Sequence, residues 1–201
     1  MADNKQLSLI LGNATRLLDD ARLLVGHRRY ASAFALALLG VDEIGKVLLK
    51  SWEAEKPLPK PKERPTAHVQ KQAAVANLLV AALLARTFPQ GIDWKTLDTE
   101  ALTESFNESN EGQLLALIRD GHLDRRKQNA LYQDDDMMTA VDEGFAEMQI
   151  GGILEIANDA QAALASPFNR MAARSFYEAT VLGVSVSDRA DSGAAIQDEK
   201  M

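Results

Sequence analysis

The 201-residue chain has no cysteine, which excludes disulfides, thiolate metal sites and cysteine nucleophiles at one stroke and suits a reducing cytosol. Aromatic residues make up only 5% of the chain, so a core has to be built from alanine and aliphatic side chains. Long apolar runs are missing too. The longest uncharged stretches, Tyr30–Val41 and Gln72–Ala85, fall short of the ~20 residues a membrane-spanning helix needs. The opening Met1-Ala-Asp-Asn-Lys-Gln lacks the basic-then-apolar profile of a signal peptide, so the expectation is a cytoplasmic protein without a membrane partner. No glycine-rich phosphate loop and no nucleophile-elbow pattern occurs, which leaves P-loop nucleotide hydrolysis and serine-hydrolase chemistry without support. The three histidines, His27, His68 and His122, are far apart and lack zinc spacing, and no cofactor or metal is expected.

What is present is ordinary globular material, 46% hydrophobic and 25% charged, enough for one domain with a core. The net charge of −7 disfavours a polyanion binder that uses its whole surface. Local basic patches remain, one between Lys56 and Lys71 and one at His122 with Arg125-Arg126-Lys127.

Helical periodicity dominates, and no period-2 strand stands out. Leu7, Ile10, Leu11, Ala14, Leu17, Leu18, Ala21, Leu24 and Val25 predict a first helix from about Asn4 to Val25, stopped at Gly26. A second, apolar on most sides, runs from Tyr30 to Trp52. Pro57, Pro59, Pro61 and Pro65 make an extended connector, and Thr66 caps a third helix ending near Phe88. Residues 92–110 are polar and mixed. Leu114, Leu115, Leu117 and Ile118 predict a fourth helix broken at Gly121, followed by a basic helical turn through Asn129. From Met137, the residues Val141, Phe145, Met148, Gly152, Ile156, Ala160 and Ala163 outline a long helix. Ser166-Pro167 opens a last one reaching Leu182. The reading is an all-α protein, one domain over 1–183 with a mobile tail over 184–201.

Four clusters carry chemistry. Asp42, Glu43 and Lys46 sit in the apolar second helix, Asp42 four residues and Glu43 three before Lys46, acid ahead of base as the helix dipole prefers. They read either as a site facing a groove or as an ion pair that fixes helix packing. His68 and Lys71 share a face at the start of the third helix. An imidazole can move protons and an ammonium can hold a phosphate, or the two are simply surface neighbours. Arg125 to Tyr132 places guanidinium groups, Lys127 and a tyrosine on one short segment, either for gripping phosphates or as a basic helix end. Asp134-Asp135-Asp136, just ahead of a helix, serves its dipole more readily than a metal.

The ordered set of Tyr30 and its Ala/Leu-rich helix ending in Asp42-Glu43-Ile44-Gly45-Lys46, then His68-x-x-Lys71, then Ala130-Leu131-Tyr132-x-Asp134, resembles the HEPN superfamily. It resembles in particular the AbiV branch of abortive-infection proteins of bacterial phage defence, over about residues 5–165. The resemblance implies an antiparallel helical bundle that pairs as a homodimer and, in many relatives, cleaves RNA as a metal-independent toxin. A phage-encoded trigger protein is a further partner it implies. The superfamily's usual signature is an arginine followed after four to six residues by a histidine, with a tyrosine two beyond in one branch. Arg125 plus four intervening residues reaches Ala130, with Tyr132 two further on, and no histidine lies downstream of His122. The resemblance therefore implies Arg125, Arg126, His68 and Tyr132 as the catalytic set, His68 being the replacement base. Lys71, Lys46, Glu43, Asp42 and Lys127 bind substrate or position the others. Ala130 in place of histidine leaves open a non-catalytic binding module that blocks translation or a phage protein by contact, or a purely structural partner.

Overall fold

The computed structural model of the chain describes residues 4–60, 66–90, 104, 106–119, 121–132 and 143–184. Every element among them is helical, with no strand. Helix α1 (Asn4–Gly26) buries Ile10, Ala14, Leu17, Leu18 and Ala21, the stripe its periodicity predicts. A three-residue link, in which Arg28 takes the left-handed φ of 57°, turns the chain back along it. The returning helix α2 (Tyr30–Glu55) is the axis of the fold. It buries residues on most of its sides, from Ala33 to Trp52.

Thr66 caps α3 (Ala67–Thr87), its hydroxyl accepting from the Val69 N–H at 3.3 Å. Helix α4 (Asn110–Arg119) ends at Gly121, whose φ of 68° suits a residue without a Cβ. The Gly121 N–H closes on the Ile118 carbonyl, and its own carbonyl accepts from the Arg125 N–H, opening α5 (His122–Tyr132). Helix α6 (Glu143–Leu164) and helix α7 (Pro167–Thr180) complete the order, the latter capped by the Ser166 hydroxyl on the Asn169 N–H. Helix α2 packs against α1, α3, α5 and α6, and α3 against α7 and α4. No described helix is long and apolar enough to cross a membrane.

Two details depart from the pattern read in the sequence. The buried face of α6 is Ile150, Ile153, Ala157, Ala160, Ala163 and Leu164, which includes the expected Ala160 and Ala163, whereas Met148, expected on that face, is 64% exposed. Apolar residues surround this helix on several sides, so periodicity alone leaves its phase free. Helix ends differ by a few residues, the last helix stopping at Thr180 near the rough bound at Leu182 and α2 and α5 running past theirs to Glu55 and Tyr132. The connector at Pro61 and Pro65, all of residues 92–103, the run Asp134–Asp136 and its approach to α6, and the tail from Ser185 lie outside the described residues.

Close packing of α2 on α3 depends on one glycine. A Cβ at Gly45 would run into the Lys71 carbonyl and Cα, backbone atoms that cannot swing aside. Gly45→Ala should force the two helices apart, at a cost of about 1–3 kcal/mol. A melting temperature equal to that of the wild type would contradict this.

The far end of α2 is closed by α7. Arg174 donates to the Trp52 carbonyl at 2.7 Å and the Lys56 carbonyl at 2.8 Å, while the Trp52 indole donates to the Arg170 carbonyl at 3.0 Å. Tyr177 lies beside that indole, ring centroids 5.4 Å apart, and burial pushes its phenol up to about 12 from 10.0. A phenol favoured in its neutral form by the fold contributes stability that is complete below pH 10 and lost as pH rises towards 12. Between those values the wild type should lose about 3 kcal/mol relative to Tyr177→Phe, and parallel alkaline unfolding curves for the two proteins would contradict it.

Candidate functional site

Asp42 projects from α2 into the seam between α3 and α5, where it is 2% exposed. Three side chains converge on its carboxylate. From α5, the Lys127 ammonium donates to Oδ2 at 2.9 Å. From α3, the His68 Nδ1 meets the same oxygen at 2.5 Å, and the Gln72 amide donates to Oδ1 at 3.0 Å. His68 and Gln72 are four apart, so one helical face delivers both. Lys127 is itself only 1% exposed and has a second carboxylate, Asp124 Oδ1, at 3.0 Å one turn earlier on α5. A buried carboxylate carrying donors on both oxygens is satisfied without water, which resolves the cost of placing it inside the bundle.

The central cluster expected from the sequence is thereby divided. Asp42 does not pair with Lys46. It pairs with Lys127, 85 positions away in sequence. Lys46 sits instead with Glu43 at 3.2 Å, with side chains 37% and 18% exposed. Helical spacing identifies neighbours on one helix only, and the strong partner came from another.

His68 is the one member of the seam with an outlet. Its side chain is 37% exposed, while the Asp42 side chain it meets is 2% exposed. An ionised carboxylate can only accept, so Nδ1 carries a proton, and in the neutral ring Nε2 then keeps its lone pair. That is the arrangement of an oriented general base.

The basic residues of α5 face different ways, since successive helical positions turn by about 100°. Lys127 points inward, so of the binding and positioning roles the burial favours positioning. Arg125 is exposed, its guanidinium 3.2 Å from the His122 Nδ1. Arg126 is exposed too and borders an open groove of about 480 Å³ shared with Phe34, Leu79, Leu117, Glu155 and Asp159. No hydrogen bond or ion pair among the described residues joins either guanidinium to His68. Lys71 is half-buried, with its backbone against Gly45. Tyr132 ends α5, and its side chain lies outside the described residues, whereas Ala130 is half-buried. Gln72 and Asp124 escaped the sequence reading. Their spacings, four from His68 and three from Lys127, were the available signal. Among the described residues no three His, Asp or Glu side chains are grouped to hold a metal ion.

A family model described as AbiV, of the HEPN type, matches residues 4–141, which takes in α1 through α5 and every residue of the seam. No curated protein and no solved structure gives a significant match.

Proposed function

We propose, from the premise that this chain belongs to the AbiV family of HEPN proteins, that it is an RNA-cleaving toxin working as a homodimer with His68 as its base. Membership makes it an abortive-infection protein of phage defence. The observation that carries the RNA-cleaving reading is the His68 Nδ1 held by the buried Asp42 at 2.5 Å in a side chain that still reaches solvent.

In this reading the 2′-hydroxyl of RNA attacks the neighbouring phosphorus and gives its proton to His68 Nε2. The new 2′-oxygen–phosphorus bond forms as the bond to the 5′-oxygen breaks. The products are a 2′,3′-cyclic phosphate and a 5′-hydroxyl that takes its proton from the imidazolium or from water. Arg125, Arg126 and Lys71 supply the cations that hold the phosphate, and Tyr132 stacks or hydrogen-bonds beside them. Among the described residues of one chain neither arginine is joined to His68, and a second copy provides the opportunity to bring them to it. Asp42, Lys127, Glu43 and Lys46 position the set.

The test is cleavage of RNA by purified protein in EDTA, wild type against His68→Ala. Light scattering at micromolar concentration should give about twice the chain mass of 21.9 kDa. A monomer would remove the shared-cleft arrangement. A second reading is favoured by Ala130, which stands where the superfamily's signature carries its histidine. In that reading the protein acts by contact as a binding module, on translation or on a phage protein that also triggers it. Toxicity in cells without RNA cleavage by the purified protein would select it.

A further inference from the structure

We propose that Gln72 and Lys127 are positioning residues that hold the His68 ring in its Nδ1–H form, with Nε2 bare, by fixing both oxygens of Asp42. The inference rests on the reading of His68 as the base and names the residues that make it one. Gln72 donates to Oδ1 at 3.0 Å and Lys127 to Oδ2 at 2.9 Å, so the carboxylate is held at both ends and cannot turn about its Cβ–Cγ bond. The His68 Nδ1 meets Oδ2 from a third direction at 2.5 Å. The Lys127 ammonium also lies 3.0 Å from Asp124 Oδ1 on its own helix, an ion-pair contact without a hydrogen bond. An imidazole free in water favours the opposite tautomer, Nε2–H, so the fold has to impose the one a base requires.

The energetics of Gln72 separate this role from packing. The residue is fully buried, yet its Oε1 has no hydrogen-bond partner among the described residues. An orphaned buried acceptor is a liability that a methionine or leucine would not carry, though neither would satisfy Asp42 Oδ1. What the amide provides that an apolar side chain cannot is the donor on Asp42 Oδ1. Lys127 differs, because removing its ammonium alone leaves Asp42 uncompensated, and only replacing the whole pair by apolar residues of like volume would be neutral for stability.

The tautomer can be read directly by nitrogen-15 NMR of the labelled protein, without RNA, in mildly alkaline buffer. Only three histidines occur, so His27→Gln and His122→Gln assign the His68 ring. The wild type should show Nδ1–H. Gln72→Met, similar in volume but unable to donate, should raise the Nε2–H to Nδ1–H ratio about tenfold, the equivalent of one weakened hydrogen bond. Lys127→Met should do the same, and where that variant fails to fold Gln72→Met decides alone. In RNA cleavage Gln72→Met should lower kcat about tenfold with KM little changed. An Nε2–H wild type, or a folded Gln72→Met with the wild-type tautomer, overturns the proposal. A tautomer shift in a protein that never cleaves RNA supports the positioning and removes the nuclease reading, so the two failures are told apart.

Discussion

Lys127→Met should cost about 3–5 kcal/mol of folding stability, because it strips the charged partner from a carboxylate that cannot reach water. Asp42 is 2% exposed and shares its Oδ2 with Lys127 at 2.9 Å. Asp124 loses the same ammonium, so two carboxylates are left facing one another across the seam. Lys46→Met provides the contrast. Its partner Glu43 lies one turn away, and the lysine is more than a third exposed, so the loss should stay within about 1 kcal/mol. Urea unfolding of both variants at the same pH measures the difference through the midpoint, provided the slopes agree. Equal midpoints would mean that the buried pair does not hold α5 to α2.

That contrast marks where sequence reasoning reached and where it stopped. The helices were legible because their signals are local. Apolar positions three and four apart outline α1, Thr66 and Ser166 cap α3 and α7, and Gly121 interrupts the chain between α4 and α5. The presence of a charged cluster within an apolar helix was legible for the same reason. Its pairing was not. Asp42 and Lys46 satisfy helical spacing as well as any pair, but the ammonium that reaches Asp42 comes from α5, and only the packing of three helices brings it there. The direction of the basic residues was hidden likewise, since Arg125, Arg126 and Lys127 are consecutive and only the bundle decides which of them turns inward. Gly45 carried its reason in no local pattern, because the backbone it accommodates belongs to α3.

The catalytic reading has the second large consequence. Removing a positioned base typically costs 10²–10⁴ in rate, so His68→Ala should slow RNA cleavage by about 10²-fold or more. Asp42→Asn should lose more than an order of magnitude as well, since an amide no longer dictates which ring nitrogen carries the proton. Arg125→Ala and Arg126→Ala test the cation. The one that faces the scissile phosphate should lose about 10–10²-fold, as when a donor to a developing negative charge is deleted. Circular dichroism at the assay temperature separates these losses from unfolding, which matters most for Asp42→Asn.

Cleavage of RNA by purified protein in EDTA, wild type beside His68→Ala, therefore tests the account most directly. The account predicts 2′,3′-cyclic phosphate ends from the wild type, a rate indifferent to EDTA, and at least a ~10²-fold loss in the variant. A folded His68→Ala that cleaves as fast as the wild type, or cleavage that EDTA abolishes and so refers to the acidic run Asp134–Asp136, would contradict it.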